Sequence, residues 1–121
     1  MQSGGMHDFR RLRVWQLARE LGVTVDLAVR RFPGSDRGVV SGQLRRAALS
    51  IHPNIAEGCG KSSRRETARF LQIASASAKA TESHLVVAGD LRLMHPKLCE
   101  QLIDQSRSVQ RMLESLIRNL P

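Results

Sequence analysis

Four histidines (His7, His52, His84 and His95) and two cysteines (Cys59 and Cys99) are the side chains of this 121-residue chain best suited to hold a metal or attack a substrate. Their spacing suits neither task. No histidine has another at i+3 or i+4, and there is no HExxH. Glu82 and His84 are two apart, which turns them to different sides of a helix. The cysteines stand forty positions apart with no CxxC, so neither a zinc knuckle nor a disulfide framework is expected. A nucleophilic Cys59 would need a His or Asp partner that the sequence does not assign, and a small buried thiol near a helix end is the expected alternative. Glu57 and Glu82 are candidates for a carboxylate pair like that of di-metal bundles. Those bundles take Glu-x-x-His on the helices, which is absent here. No glycine-rich phosphate loop follows a strand. The chain reads as a non-enzyme with no catalytic residue, no metal and no cofactor.

The remaining chemistry is that of charge. Lysine and arginine total 19 against 11 aspartates and glutamates, a formal charge of +8, and sixteen of the nineteen bases are arginine. The planar guanidinium suits bidentate acceptors such as phosphate and carboxylate, so an acidic polymer is the expected partner. The bases cluster at Arg10, Arg11 and Arg13, at Arg45 and Arg46, and at Lys61, Arg64, Arg65 and Arg69. All nine are candidate nucleic-acid-binding residues, contacting RNA or DNA through phosphates with little sequence preference. Two alternatives stand beside this reading. The arginines are merely solvated and paired with Asp8 and Glu66, or the basic surface docks an acidic protein such as a mobile-element enzyme.

What positions these groups must be helical. The aromatic content is 3%, too little for a sheet core or for base-stacking platforms, and the apolar residues are mostly Leu, Ile, Val and Ala. A chain of this length with 41% hydrophobic and 25% charged residues forms one globular domain. Charges interrupt every apolar run before it reaches membrane-spanning length, no apolar signal segment opens the chain, and the expected location is the cytoplasm. Met1 to Gly5 (MQSGG) reads as an expression remnant, leaving 6–121 as the domain.

The apolar spacing predicts four helices. The first runs from near Asp8 to Arg31 with the seam Val14, Ala18, Leu21, Val25, Ala28 and Phe32, spaced 4, 3, 4, 3 and 4, and Trp15 widens its apolar arc as a structural residue. The second, capped by Ser35 or Asp36, runs to about Cys59 on the seam Val40, Leu44, Ala47, Ile51 and Ile55. Pro53 interrupts it and removes the amide that would bond the Leu49 carbonyl. Asn54 is expected to satisfy the freed backbone, Glu57 to pair with an arginine, and Gly58 with Gly60 to end the helix. The third helix starts at Ser63, whose spacing to Glu66 is that of a capping box, and continues to about Met94. Its small-residue middle, Ile73 to Thr81, should let neighbouring helices come close, and Glu82 is taken as a structural polar residue. The fourth spans about Pro96 to Asn119 on Leu102, Ser106, Val109, Leu113, Leu116 and Leu120. Short loops make neighbours antiparallel, which gives an all-α, up-down-up-down four-helix bundle.

Two consequences follow. Arg10, Arg11 and Arg13 should share one end of the bundle with Lys61, Arg64 and Arg65, forming a basic rim to which the start of the third helix adds its positive dipole. Helices one and three carry more apolar arc than one core needs, including the unbroken Leu85-Val86-Val87-Ala88. That surplus predicts subunit contacts between copies of the chain.

Taken together, Phe9-Arg-Arg-Leu-Arg-Val-Trp-Gln-Leu-Ala18, Phe32-Pro33, Gln43-Leu-Arg-Arg-Ala-Ala48, Asn54-Ile-Ala-Glu-Gly58 and Phe70-Leu-Gln-Ile-Ala74 resemble a family of four-helix bundles. It includes proteins encoded in intervening sequences of bacterial large-subunit ribosomal RNA genes and is related to the accessory variability protein of diversity-generating retroelements. The resemblance runs in order over nearly the whole chain after Met6. It implies a small cytosolic bundle that assembles as a ring, a homopentamer, with no catalytic centre. In the retroelement relatives it implies binding to nucleic acid and to the reverse transcriptase.

Overall fold

The computed structural model describes residues 8–121 apart from Arg37, with the side chain of Ser35 also outside the description. Met1 to Gly5 and His7 lie outside the described residues. A short 3₁₀ turn, Phe9–Arg11, precedes α1 (Arg13–Val29), followed by a second such turn at Gly34–Asp36, α2 (Val39–Cys59), α3 (Arg64–Asp90) and α4 (Pro96–Arg118). Each helix packs on its neighbours in the cyclic order α1, α2, α3, α4, and the diagonal pairs α1–α3 and α2–α4 have no such close backbone approach among the described residues. This is the antiparallel four-helix bundle expected from the seams.

The core follows those seams with one change of register. Val14, Ala18, Leu21 and Val25 of α1 are buried, as are Leu102, Ser106, Val109 and Leu113 of α4. On α2 the buried set is Leu44, Ala48, Ile51 and Ile55, so Ala48 takes the core place expected of Ala47. The cause is a close approach of backbones. A Cβ on Gly22 would stand 3.2 Å from the Ala48 carbonyl oxygen, so glycine on α1 lets α2 settle with Ala48 inward. Within the small-residue stretch Ile73 to Thr81, Ala74, Ala78 and Thr81 enter the core, while Ala76 stays exposed.

Two helix boundaries differ from expectation, and at a third, the start of α2, the expected Asp36 cap is made from two residues ahead of the cap position. Leu12 is extended (φ −74°, ψ 125°), so the first helix is broken into the 3₁₀ turn and α1, and Arg10 and Arg11 precede the helix proper. Ahead of α2, the Asp36 carboxylate accepts from the amides of Gly38, Val40 and Ser41, while Gly38 occupies the cap position with φ 80°. The third helix stops at Asp90 rather than Met94. Arg92 turns left-handed (φ 58°), and the Leu93 amide bonds back to the Ala88 carbonyl at 3.0 Å, closing the helix end around a buried Leu93.

Candidate nucleic-acid interface

The topology gathers the start of α1, the end of α2, the start of α3 and the end of α4 at one end of the bundle. Local chemistry fixes each of them. Asp8 caps the 3₁₀ turn by accepting from the Arg10 amide at 3.2 Å, and the Gln16 side chain donates to the Arg10 carbonyl at 2.9 Å. At the α2–α3 turn, the Ser63 hydroxyl accepts from the Glu66 amide at 3.1 Å. The capping box is only half made, because Glu66 turns to Arg69, 3.7 Å away.

Gly58 holds the two helices together behind this turn. It lies inside α2, which ends at Cys59 with Gly60 as its cap. The Thr67 hydroxyl donates to the Gly58 carbonyl at 3.1 Å, and a Cβ on Gly58 would meet Phe70 Cβ and the Thr67 carbonyl oxygen at 3.3 Å. Phe70 in turn lies under two cations, Lys61 at 5.0 Å and Arg69 at 4.5 Å from its ring centroid. On the α1 side Phe9 packs on Trp15 at 4.9 Å, with Arg10 over Phe9 and Arg19 over Trp15.

Of the nine basic residues singled out in the sequence, seven belong to this end. Arg10 and Arg11 sit 3.7 Å from the Asp8 carboxylate, Lys61, half-buried, 3.4 Å from Glu57, and Arg69 beside Glu66, all surface pairs of small energy. Arg13, Arg64 and Arg65 are exposed and have no ion pair among the described residues. Arg118, in the last turn of α4, reaches the same end and is likewise exposed. Sequence reasoning missed it, although following the fourth helix back down the bundle would have found it. The dipole expected from α3 has a counterweight here, since the carboxyl ends of α2 and α4 point the same way.

Arg45 and Arg46 lie in the other half of the bundle. Arg45 bonds the Asp26 carboxylate together with Arg30, and these partners hold Asp26 below the ordinary aspartate range, the Arg45 bond contributing most. Arg46 is exposed and has no ion pair among the described residues.

The structural residues sort as follows. Pro53 sits exposed inside α2, and the Asn54 side chain donates to the Ser50 carbonyl at 2.8 Å. Asn54 therefore serves the carbonyl one residue beyond Leu49, the one freed by the proline. Glu57 pairs with a lysine, Lys61, where an arginine was expected. Glu82 does not face Glu57. It joins α3 to α4, accepting from Gln110 at 2.8 Å and Arg107 at 2.9 Å, and these two bonds pull its carboxyl below the ordinary glutamate range. Trp15 is half-buried, stacked edge-on with His52 at 6.2 Å, and its indole nitrogen has no partner among the described residues. Cys59 and Cys99 are buried and unpaired with each other. Burial pushes the Cys59 thiol up to about 11, and Cys99 donates to the Leu85 carbonyl at 3.2 Å.

Fold and surface together define a small basic antiparallel bundle whose polar residues join helices. The 23S rRNA-intervening sequence protein family model matches residues 10–115, and the chain belongs to that family. Among solved structures it is similar to a protein of unknown function from the S23 ribosomal protein family of Bacteroides thetaiotaomicron. The two are 25% identical with a TM-score of 0.80, over 88% of this chain and 99% of the other. No curated protein matches. Among the described residues no helix is long and apolar enough to cross a membrane.

Proposed function

We propose that this chain is a non-enzymatic, ring-forming bundle of the cytoplasm that binds nucleic acid, RNA or DNA, through arginine–phosphate contacts at the end where α2 turns into α3. One observation carries this reading: Arg13, Arg64 and Arg65 stand exposed and free of ion pairs among the described residues, at an end that also holds Arg10, Arg11, Lys61, Arg69 and Arg118. An unpaired guanidinium is available to phosphate without first losing a carboxylate. Repeated around a ring, the rim would present a closed band of positive potential. The family name ties its members to a ribosomal RNA gene, which is consistent with an RNA partner.

Binding should weaken steeply as salt rises, with a log–log slope of about −0.7 to −0.9 per phosphate contacted. Arg64→Glu with Arg65→Glu should abolish binding of a fluorescent single-stranded RNA, measured by anisotropy at low salt. Binding that ignores salt, or survives both reversals, overturns the proposal. Capture of an acidic protein that survives nuclease treatment would favour a docking scaffold instead.

A further inference from the structure

Between the start of α1 and the end of α4, at the same end as the basic rim, lies an open niche of about 340 Å³. Leu12 and Val14 line it from one side, Met112 and Leu116 from the other. Val14 is buried and the other three are half-buried, so the floor is apolar and firmly held. The edge is polar, formed by the exposed Ser115 and Asn119. The Asn119 amide nitrogen donates to the Ser115 carbonyl at 2.7 Å, which leaves the amide oxygen free to accept. Arg13 lines both this niche and the next groove along α1 and α4, where Glu20 and Asp104 stand.

We infer that one base of a bound single strand turns into this niche, while Arg13 holds the adjoining phosphate. The inference rests on the nucleic-acid reading above and names the form of nucleic acid that the rim takes. Size favours one base. The niche is near the lower limit of about 300 Å³ for small-ligand sites, too small for the apolar face of a partner helix. The edge agrees, since a base carries donors and acceptors that can meet the Asn119 oxygen and the Ser115 hydroxyl. All four bases do so, in keeping with little sequence preference. Charge fixes the path of the strand. By helical spacing Arg111 and Arg118 lie one turn either side of Ser115, both exposed, and Glu114 faces away from Met112 and Leu116. Asp8 is engaged by Arg10 and Arg11. Glu20 and Asp104 have no ion pair among the described residues and repel phosphate, so the backbone comes in from the rim and goes no farther than Arg13. A duplex keeps its bases stacked and paired, and only an unpaired strand offers one to the niche without first unstacking it.

Fluorescent oligothymidine and an equally long strand of abasic deoxyribose phosphates separate base from phosphate in anisotropy titrations of the full chain. The unaltered chain should bind oligothymidine about fivefold tighter, the low end for one packed base, because the niche holds no aromatic ring. Ser115→Trp, at an exposed position, fills the niche. It should lower the affinity for oligothymidine about fivefold and leave the abasic strand, a duplex and the salt slope unchanged. A strand carrying 5-iodouracil, irradiated on the unaltered chain, should attach within residues 112–119, as mapped by mass spectrometry. Three outcomes overturn the niche and leave phosphate binding at the rim intact. These are equal affinity of the unaltered chain for the two strands, a preference that persists in Ser115→Trp, and attachment confined to α2 and α3. Failure of every strand to bind at low salt overturns the nucleic-acid reading, and the niche with it.

Discussion

The indole of Trp15 brings together groups that the sequence keeps far apart: Phe9 at 4.9 Å, His52 at 6.2 Å and the Arg19 guanidinium at 5.3 Å. Burial, and secondarily the Arg19 charge, hold His52 below its ordinary value of 6.5. The folded chain thus resists protonating this imidazole more than the unfolded chain does. The stability this represents is fully present above 6.5 and is lost as the pH falls through 6.5 toward the lower folded value. Trp15 is the single tryptophan and reports the event. Its emission should be quenched on acidification with a midpoint below 6.5, and His52→Gln should remove the transition. A midpoint at or above 6.5 would contradict the burial argument. None of this cluster was legible beforehand, since contact between residues 15 and 52 depends on how α1 and α2 cross. Asn54 and Glu57 were legible as polar residues beside a seam. Their partners were not, because a hydrogen bond to Ser50 rather than Leu49 depends on side-chain reach around the proline.

At the scale of helices, periodicity carried most of the information. Spacings of 4 and 3 located four helices and nearly all the core, because a buried stripe must recur at the helical period whatever it packs against. It failed where backbones touch. Gly22 was unremarked in an apolar run, yet its missing side chain decides that Ala48 rather than Ala47 faces the core. Gly58 was taken as a helix end and is instead a contact point between α2 and α3. Gly58→Ala gains about 1 kcal/mol of helix propensity. It also sets a methyl at 3.3 Å from both the Thr67 carbonyl oxygen and Phe70 Cβ, and the backbone oxygen cannot move without shifting α3. Overpacking of this kind costs about 1–3 kcal/mol, so the variant should be less stable by about 1 kcal/mol in urea denaturation. A more stable variant would mean that α2 and α3 slide apart freely, and the hydroxyl bond from Thr67 to Gly58 would then have little structural weight.

For the whole molecule, the net charge of +8 has two effects of opposite sign in salt. Like charges repel within the folded bundle, and added salt screens them, so stability should rise between low and physiological ionic strength. The same screening weakens attraction to phosphate. Reversing Arg64 and Arg65 subtracts two units at each site, taking the chain from +8 to +4. Both side chains are exposed and free of ion pairs among the described residues, so nothing in the core is lost. The reversed chain should melt at the wild-type temperature or a few degrees above it at low salt, a shift on the order of 1 kcal/mol, and the difference should fade as salt is added. Thermal melts across a salt series, run beside the anisotropy titrations, separate the two effects. Binding lost with melting temperature kept or raised assigns the loss to the rim. A reversed chain that melts well below wild type at low salt would show that these arginines hold the bundle together, and the loss of binding would then carry no information about the interface.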